Sequence, residues 1–238
     1  MGDATVPVVM LHSTMRLAHV PFVKICCIAS VEEARLAMSA GASALGLVSA
    51  MPSGPGAIVD ELIAEIAATV APPIATFLLT ARQDADGIIE QHRYCRTTTL
   101  QLVDHVPAAE LRKLRVALPG IGLVQVIHVT GAESIDEARS VAGLVDALLL
   151  DSGNQNLAVK ELGGTGRTHD WRLSRRIRDE VGVPLFLAGG LNAGNVVEAV
   201  SAVAPYGLDL CSSVRSEGRL DAAKLYGFFS ALRASSAS

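Results

Sequence analysis

The sequence predicts an α/β protein, a single-domain (β/α)8 TIM barrel of parallel strands. Three observations carry this. Short apolar runs alternate with segments of helical period eight times along the chain. The runs are continuous rather than alternating, as strands buried on both faces of a parallel sheet require. The eight units share about 218 residues, roughly 27 each, the size of a compact strand–helix repeat. The rival architecture is an open doubly wound sheet, whose first turn would carry GxGxxG. Strand one runs instead into Cys26-Cys27-Ile28-Ala29-Ser30.

The elements read in order. Residues 1–20 form an N-terminal extension, expected to be flexible, and 21–238 the barrel domain. Strand 22–27 leads to helix 31–40, which stops at Gly41. Strand 44–48 precedes helix 59–70, strand 74–79 helix 85–94, and strand 98–103 helix 108–116. Strand 123–128 precedes helix 134–142. Strand 147–151 is followed by a long Gly-rich loop, 152–167, and helix 171–181. Strand 184–188, helix 195–203, strand 208–211 and helix 221–232 complete the barrel. The active site of such a barrel lies at the C-terminal ends of its strands.

Composition bounds the function. Hydrophobic residues are 50% of the 238 and charged residues 18%, which excludes a disordered chain. The net charge is -4 and no Lys/Arg run exceeds two residues, so a basic nucleic-acid-binding face is not expected. No uncharged apolar stretch reaches about 18 residues, so no membrane span is expected. The apolar run at residues 6–11 is short and lacks a basic flank, unlike a signal peptide. The four cysteines, at 26, 27, 95 and 211, form neither a disulfide framework nor a zinc pattern and fit a reducing cytoplasm.

Polar residues at strand ends carry the candidate chemistry. Lys24 and Cys26 share one face of strand one. If that face is inward, an ammonium beside a thiol favours the thiolate; the alternative is that both cysteines are small core residues. Asp151 ends strand six after four apolar residues, as a rim carboxylate or as a cap of the following loop. Asp209 lies between leucines in strand eight, which neighbours strand one when the barrel closes. Lys24 is its expected partner, in a supporting rather than catalytic pair. Gln101, central in strand four, is a further inward candidate or a satisfied core amide.

Three segments are rich in small residues: Gly163-Gly164-Thr165-Gly166, Ala188-Gly189-Gly190-Leu191-Asn192 and Cys211-Ser212-Ser213. Loops after strands seven and eight of such barrels commonly cradle phosphate on backbone N–H groups. Gly189, Gly190, Ser212 and Ser213 are therefore expected phosphate contacts. Gly164 and Gly166 are expected substrate contacts on a loop over the site.

These residues resemble a family. Lys24-Ile25-Cys26-Cys27-Ile28 is similar to the opening KICGI of the phosphoribosylanthranilate isomerases of tryptophan biosynthesis. The likeness continues through Leu148-Leu149-Leu150-Asp151, the GGTGRTHDW run from Gly163 to Trp171, the AGGLNAGNV run from Ala188 to Val196, and Leu208 to Val214. It covers about residues 22–232 in collinear order. The resemblance implies an aldose–ketose isomerase, an intramolecular oxidoreductase working without cofactor or metal on a small phosphorylated substrate. The reaction is the Amadori rearrangement of N-(5-phosphoribosyl)anthranilate to 1-(2-carboxyphenylamino)-1-deoxyribulose 5-phosphate. By the same resemblance Asp151 is the general acid at the ring oxygen and Cys26 the general base at C2. Family members occur as monomers and homodimers.

The chain departs from the family at four places. Cys27 replaces a Gly, and Gly56 stands where an Arg grips the anthranilate carboxylate. Val103 replaces a His, and Arg215 an acidic residue. These departures keep two alternatives in view: a divergent paralogue acting on another phosphorylated amino sugar, and a non-catalytic phosphosugar-binding barrel.

Overall fold

In the computed structural model, residues 21–153 and 168–235 are described. The eight units appear in the expected order: β1 (Phe22–Ile25), α1 (Val31–Ala40), β2 (Ala44–Val48), α2 (Asp60–Thr69), β3 (Ala75–Thr80), α3 (Ala85–Cys95), β4 (Thr99–Leu102) and α4 (Ala108–Ala117). They continue as β5 (Gly122–His128), α5 (Glu133–Ala142), β6 (Ala147–Asp151), α6 (Trp171–Glu180), β7 (Leu185–Leu187), α7 (Val196–Val203), β8 (Gly207–Leu210) and α8 (Ala222–Ser235). Every strand pairs in parallel with the next, and β1 pairs with β8 to close the barrel. The expected extension, residues 1–20, lies outside the described residues, as does the loop segment carrying Gly164 and Gly166. Among the described residues no helix is long and apolar enough to cross a membrane.

Alternation along the strands divides the core in two. Outward residues such as Ile25, Leu45, Leu78, Leu100, Leu148, Leu187 and Leu208 pack beneath the helices. Inward residues, among them Phe77, Leu79, Val124, Val126, Leu149 and Phe186, fill the barrel itself. Phe186 meets Phe22, Phe77 and Tyr206 edge-on at 5.9, 5.9 and 5.5 Å between ring centres, giving the start of β1 an aromatic floor. Gly207 makes room for it, since a Cβ there would stand 2.5 Å from the Phe186 ring.

The expected strand ends run long, and one residue explains much of this. Cys27 adopts a left-handed backbone, φ 62°, so β1 stops at Ile25 instead of reaching residue 27. On the neighbouring strand Cys211 leaves extended geometry and opens a short 3₁₀ turn, Ser212–Val214, so β8 stops at Leu210. A small hairpin not expected from the sequence follows, β9 (Arg215–Ser216) with β10 (Arg219–Leu220). Its two turn residues, Glu217 and Gly218, both have positive φ (51° and 77°), as the commonest two-residue hairpin turn requires.

Arg215 ties this hairpin to the rest of the barrel. Its guanidinium donates to both carboxylate oxygens of Glu33 at 3.0 Å, to the carbonyl of Gly218, and to the carbonyls of Cys26 and Cys27. Glu33 in turn accepts from the backbone N–H of Ala29 and Leu220. Burial opposes the Glu33 charge, but Arg215 and these N–H groups hold its carboxyl below the usual range. A residue with the opposite charge from the family's thus serves as a brace of the β1 turn.

Candidate active site

The site is built where β1, β6 and β8 end. Within the barrel, Lys24 and Asp209 are direct cross-strand neighbours. The Lys24 Nζ donates to Asp209 Oδ2 at 2.8 Å, with the lysine fully buried and the aspartate 8% exposed. It also lies 5.5 Å from the centre of the Phe77 ring, within cation–π range. Burial disfavours the ammonium, yet Asp209 and the two neighbouring thiols outweigh it and raise the Lys24 pKa. Burial pushes the Asp209 carboxyl up, against the pull of Lys24. The ion pair expected from sequence is present.

Cys26 stands one step further towards the mouth, on the same side of β1 as Lys24. A hydrogen bond from Cys27 and the Lys24 charge outweigh burial and hold its thiol below the ordinary value. Cys27 behaves oppositely. Hydrogen bonding with Cys211 and with Cys26, and then burial, push its thiol far up. Gly46 on β2 creates the space for this column. A Cβ there would stand 2.9 Å from Cys26 Sγ and 3.0 Å from Lys24 Cε.

Asp151 ends β6, 8% exposed, its Oδ1 accepting from the backbone N–H of Ser152 at 2.7 Å. Nearby, burial holds the imidazole of His169 below its ordinary value, against the charges of Asp151 and Asp170. Cys26, Asp151, Asp209 and Gln101 line one pocket. The Oε1 of Gln101 is buried with no hydrogen-bond partner among the described residues.

The two small-residue loops form another wall of the same pocket, with Gly189, Gly190, Ser212 and Ser213 all lining it. Gly189 and Gly190 have φ of 82° and 64°, a conformation that favours glycine. Asn192 and Asn195 both donate to the Gly190 carbonyl, and Asn195 also accepts from the Asn192 N–H, so the loop is braced from behind. Of the sequence candidates, Gly164 and Gly166 alone lie outside the described residues.

The sequence reading missed the opposite wall. Val48, Met51, Ser53, Gly54 and Pro55, at the end of β2 and beyond, line the pocket with Leu79. This segment has no periodicity to mark it. Gly56 closes it, at φ 77°, and a Cβ there would stand 2.5 Å from the Cys27 Cβ. The two departures from the family at 27 and 56 are therefore one structural feature. Arg215, engaged by Glu33 and the β1 carbonyls, is not among the lining residues.

Fold and site define a class: a (β/α)8 barrel with a thiol and a carboxyl in one strand-end pocket, between two loops of small residues after β7 and β8. Within that class, the profile of N-(5'-phosphoribosyl)anthranilate isomerases matches residues 23–231. An enzyme of that name from Methanocella arvoryzae is 35% identical over 198 residues, covering 83% of this chain and 90% of its own. The crystal structure of phosphoribosyl anthranilate isomerase from Thermotoga maritima superposes with a TM-score of 0.78 at 26% identity, covering 90% of this chain and 99% of its own. Another such structure, in complex with reduced 1-(o-carboxyphenylamino)-1-deoxyribulose 5-phosphate, superposes at 0.75 with 25% identity, over 90% of this chain and 99% of its own. The chain belongs to the N-(5'-phosphoribosyl)anthranilate isomerase family.

Proposed function

We propose that the protein catalyses the Amadori rearrangement of N-(5-phosphoribosyl)anthranilate to 1-(2-carboxyphenylamino)-1-deoxyribulose 5-phosphate in tryptophan biosynthesis. The observation that carries this reading is the meeting of Cys26 and Asp151 in one pocket of a barrel of this family. Asp151, as general acid, delivers a proton to the ribose ring oxygen. The C1–O bond breaks as the nitrogen lone pair forms a C1=N double bond. The Cys26 thiolate then removes the C2 proton, and the resulting enolamine tautomerises to the ketone. Lys24 favours the thiolate, and Asp209 holds Lys24 in place. Backbone groups of Gly189, Gly190, Ser212 and Ser213 receive the phosphate. Gln101 offers an amide to the bound sugar, and Gly164 and Gly166 are further substrate contacts in this reading. The enzyme acts on this small phosphorylated substrate as a monomer or homodimer. Four unpaired cysteines support a cytoplasmic setting.

The test is turnover of freshly prepared phosphoribosylanthranilate, followed by loss of anthranilate fluorescence. Asp151→Asn is expected to lower kcat on the order of 100-fold or more, with the fold unchanged by circular dichroism. Wild-type protein that ignores this substrate but isomerises another phosphorylated amino sugar would replace the reading.

A second expectation concerns Gly46. The methyl group of Gly46→Ala displaces the Cys26 sulfur and is expected to lower kcat/KM by about 100-fold. Overpacking is expected to cost about 1–3 kcal/mol of stability. Kinetics and a thermal melt check both; unchanged kcat/KM would mean that the position of the thiol is not critical.

A further inference from the structure

The barrel closes between β1 and β8, and each strand ends in a cysteine-bearing turn. Ile25 pairs with Leu210, and the next backbone contact is Cys26 N–H donating to the Leu210 carbonyl at 2.7 Å. Beyond it, Cys27 turns into left-handed backbone and Cys211 starts the 3₁₀ turn. The two turns bring Cys27 Sγ and Cys211 Sγ to 2.7 Å, inside van der Waals contact. Neighbouring strands lie about 4.8 Å apart, so the backbone spacing suits the Cα separations that disulfides span. Both cysteines are free thiols lining the pocket. Neither takes part in the proton transfers proposed above, although Cys27 favours the Cys26 thiolate.

We propose that Cys27 and Cys211 are a redox-active dithiol, oxidised by hydrogen peroxide to a disulfide that switches off the site. Cys211 is the more accessible of the two, half-buried where Cys27 is buried. Its thiolate attacks one peroxide oxygen; the O–O bond breaks, water leaves after protonation, and Cys211 becomes a sulfenic acid. The Cys27 sulfur then displaces the sulfenic hydroxyl, which departs as water with the Cys27 proton. Two thiols are thus oxidised by two electrons while one peroxide is reduced to two waters. A thiol reductant reverses the change by exchange.

The switch reaches both halves of the site. The disulfide ties down the residue next to the proposed base and removes the thiol proton that Cys27 donates to the Pro55 carbonyl at 3.5 Å on the pocket wall. It also pulls on the residue from which the Ser212–Val214 turn begins.

The experiment combines mass spectrometry and kinetics on purified full-length protein treated with hydrogen peroxide. Wild type is expected to lose two hydrogen atoms in intact mass and to lose turnover by about 100-fold, both restored by dithiothreitol. Because Cys26 and Cys27 are adjacent, Cys26→Ser protein identifies the partner. It is expected to form the same cross-linked peptide with Cys211, whereas Cys27→Ala and Cys211→Ala are not. A link that vanishes in Cys26→Ser, oxygen added to Cys26 without any link, or a link that leaves turnover intact would each overturn the proposal. The cross-link is read by mass alone, so it stands or falls independently of the isomerase assignment; only the activity arm rests on that reading.

Discussion

Cys26→Ser is expected to lower kcat/KM on the order of 1,000-fold while melting at the wild-type temperature. Serine nearly preserves the shape of the side chain, so the packing against Gly46 and Lys24 survives. What it loses is ionisation, because a hydroxyl holds its proton throughout the working range. The pH profile of the wild type carries the same argument. The thiolate is the active base, so kcat/KM rises as pH rises through the Cys26 pKa. Cys27 and Lys24 hold that pKa down, so the limb is expected below the ordinary thiol value of about 8.5. Full activity in Cys26→Ser, or a limb at or above the ordinary value, would remove the thiol from the base role.

Lys24→Met is expected to cost about 3–5 kcal/mol of stability, the loss typical when one partner of a buried ion pair is removed. The methionine fills similar volume, but Asp209 is left as a buried carboxylate without its cation. The sign of the pH dependence follows from the raised Lys24 pKa. Its contribution is complete below the unfolded lysine value of about 10.4 and fades only as pH rises through the folded one. In the variant burial acts on Asp209 unopposed and pushes its carboxyl further up, so the deficit grows as pH rises and shrinks as the carboxylate is protonated. Lys24→Met with Asp209→Leu is expected to recover most of the stability, since an apolar pair replaces an ionic one without an orphaned charge. It is not expected to recover catalysis. In every variant lacking Lys24 the Cys26 limb moves to higher pH, because a cation that favoured the thiolate has gone. Urea denaturation and pH–rate profiles separate the two effects. Equal stability of Lys24→Met and wild type would show that the pair contributes little to the folded state.

Much of the barrel was legible because strand and helix periods are repeated eight times and errors at one unit do not propagate. The pairing of Lys24 with Asp209 was legible for a topological reason. Strands one and eight must meet, and two buried opposite charges at matching depth have nowhere else to go. Cys26, Asp151, Gln101 and the two small-residue loops fall in one pocket because strand ends converge at one mouth. The strand limits at residues 27 and 211 were not legible, since neither the left-handed backbone of Cys27 nor the 3₁₀ turn that starts at Cys211 carries a sequence mark. The Val48–Pro55 wall was missed for a related reason. A wall without regular structure has no period, and its residues act through shape alone. The bracing role of Arg215 was equally hidden, because its partner Glu33 lies 182 positions away.

The contact between positions 27 and 56 also constrains how this pocket can change over time. With φ of 62° and 77°, both positions have backbones that suit glycine, and only one of them has room for a side chain. A side chain at 56 collides with Cys27 unless the backbone shifts, whereas glycine at 27 only removes atoms. The two sites are therefore epistatic with a preferred order. An arginine placed at 56 calls for glycine at 27 and a shift of the strained 56 backbone, and that exchange gives up the thiol that faces Cys211.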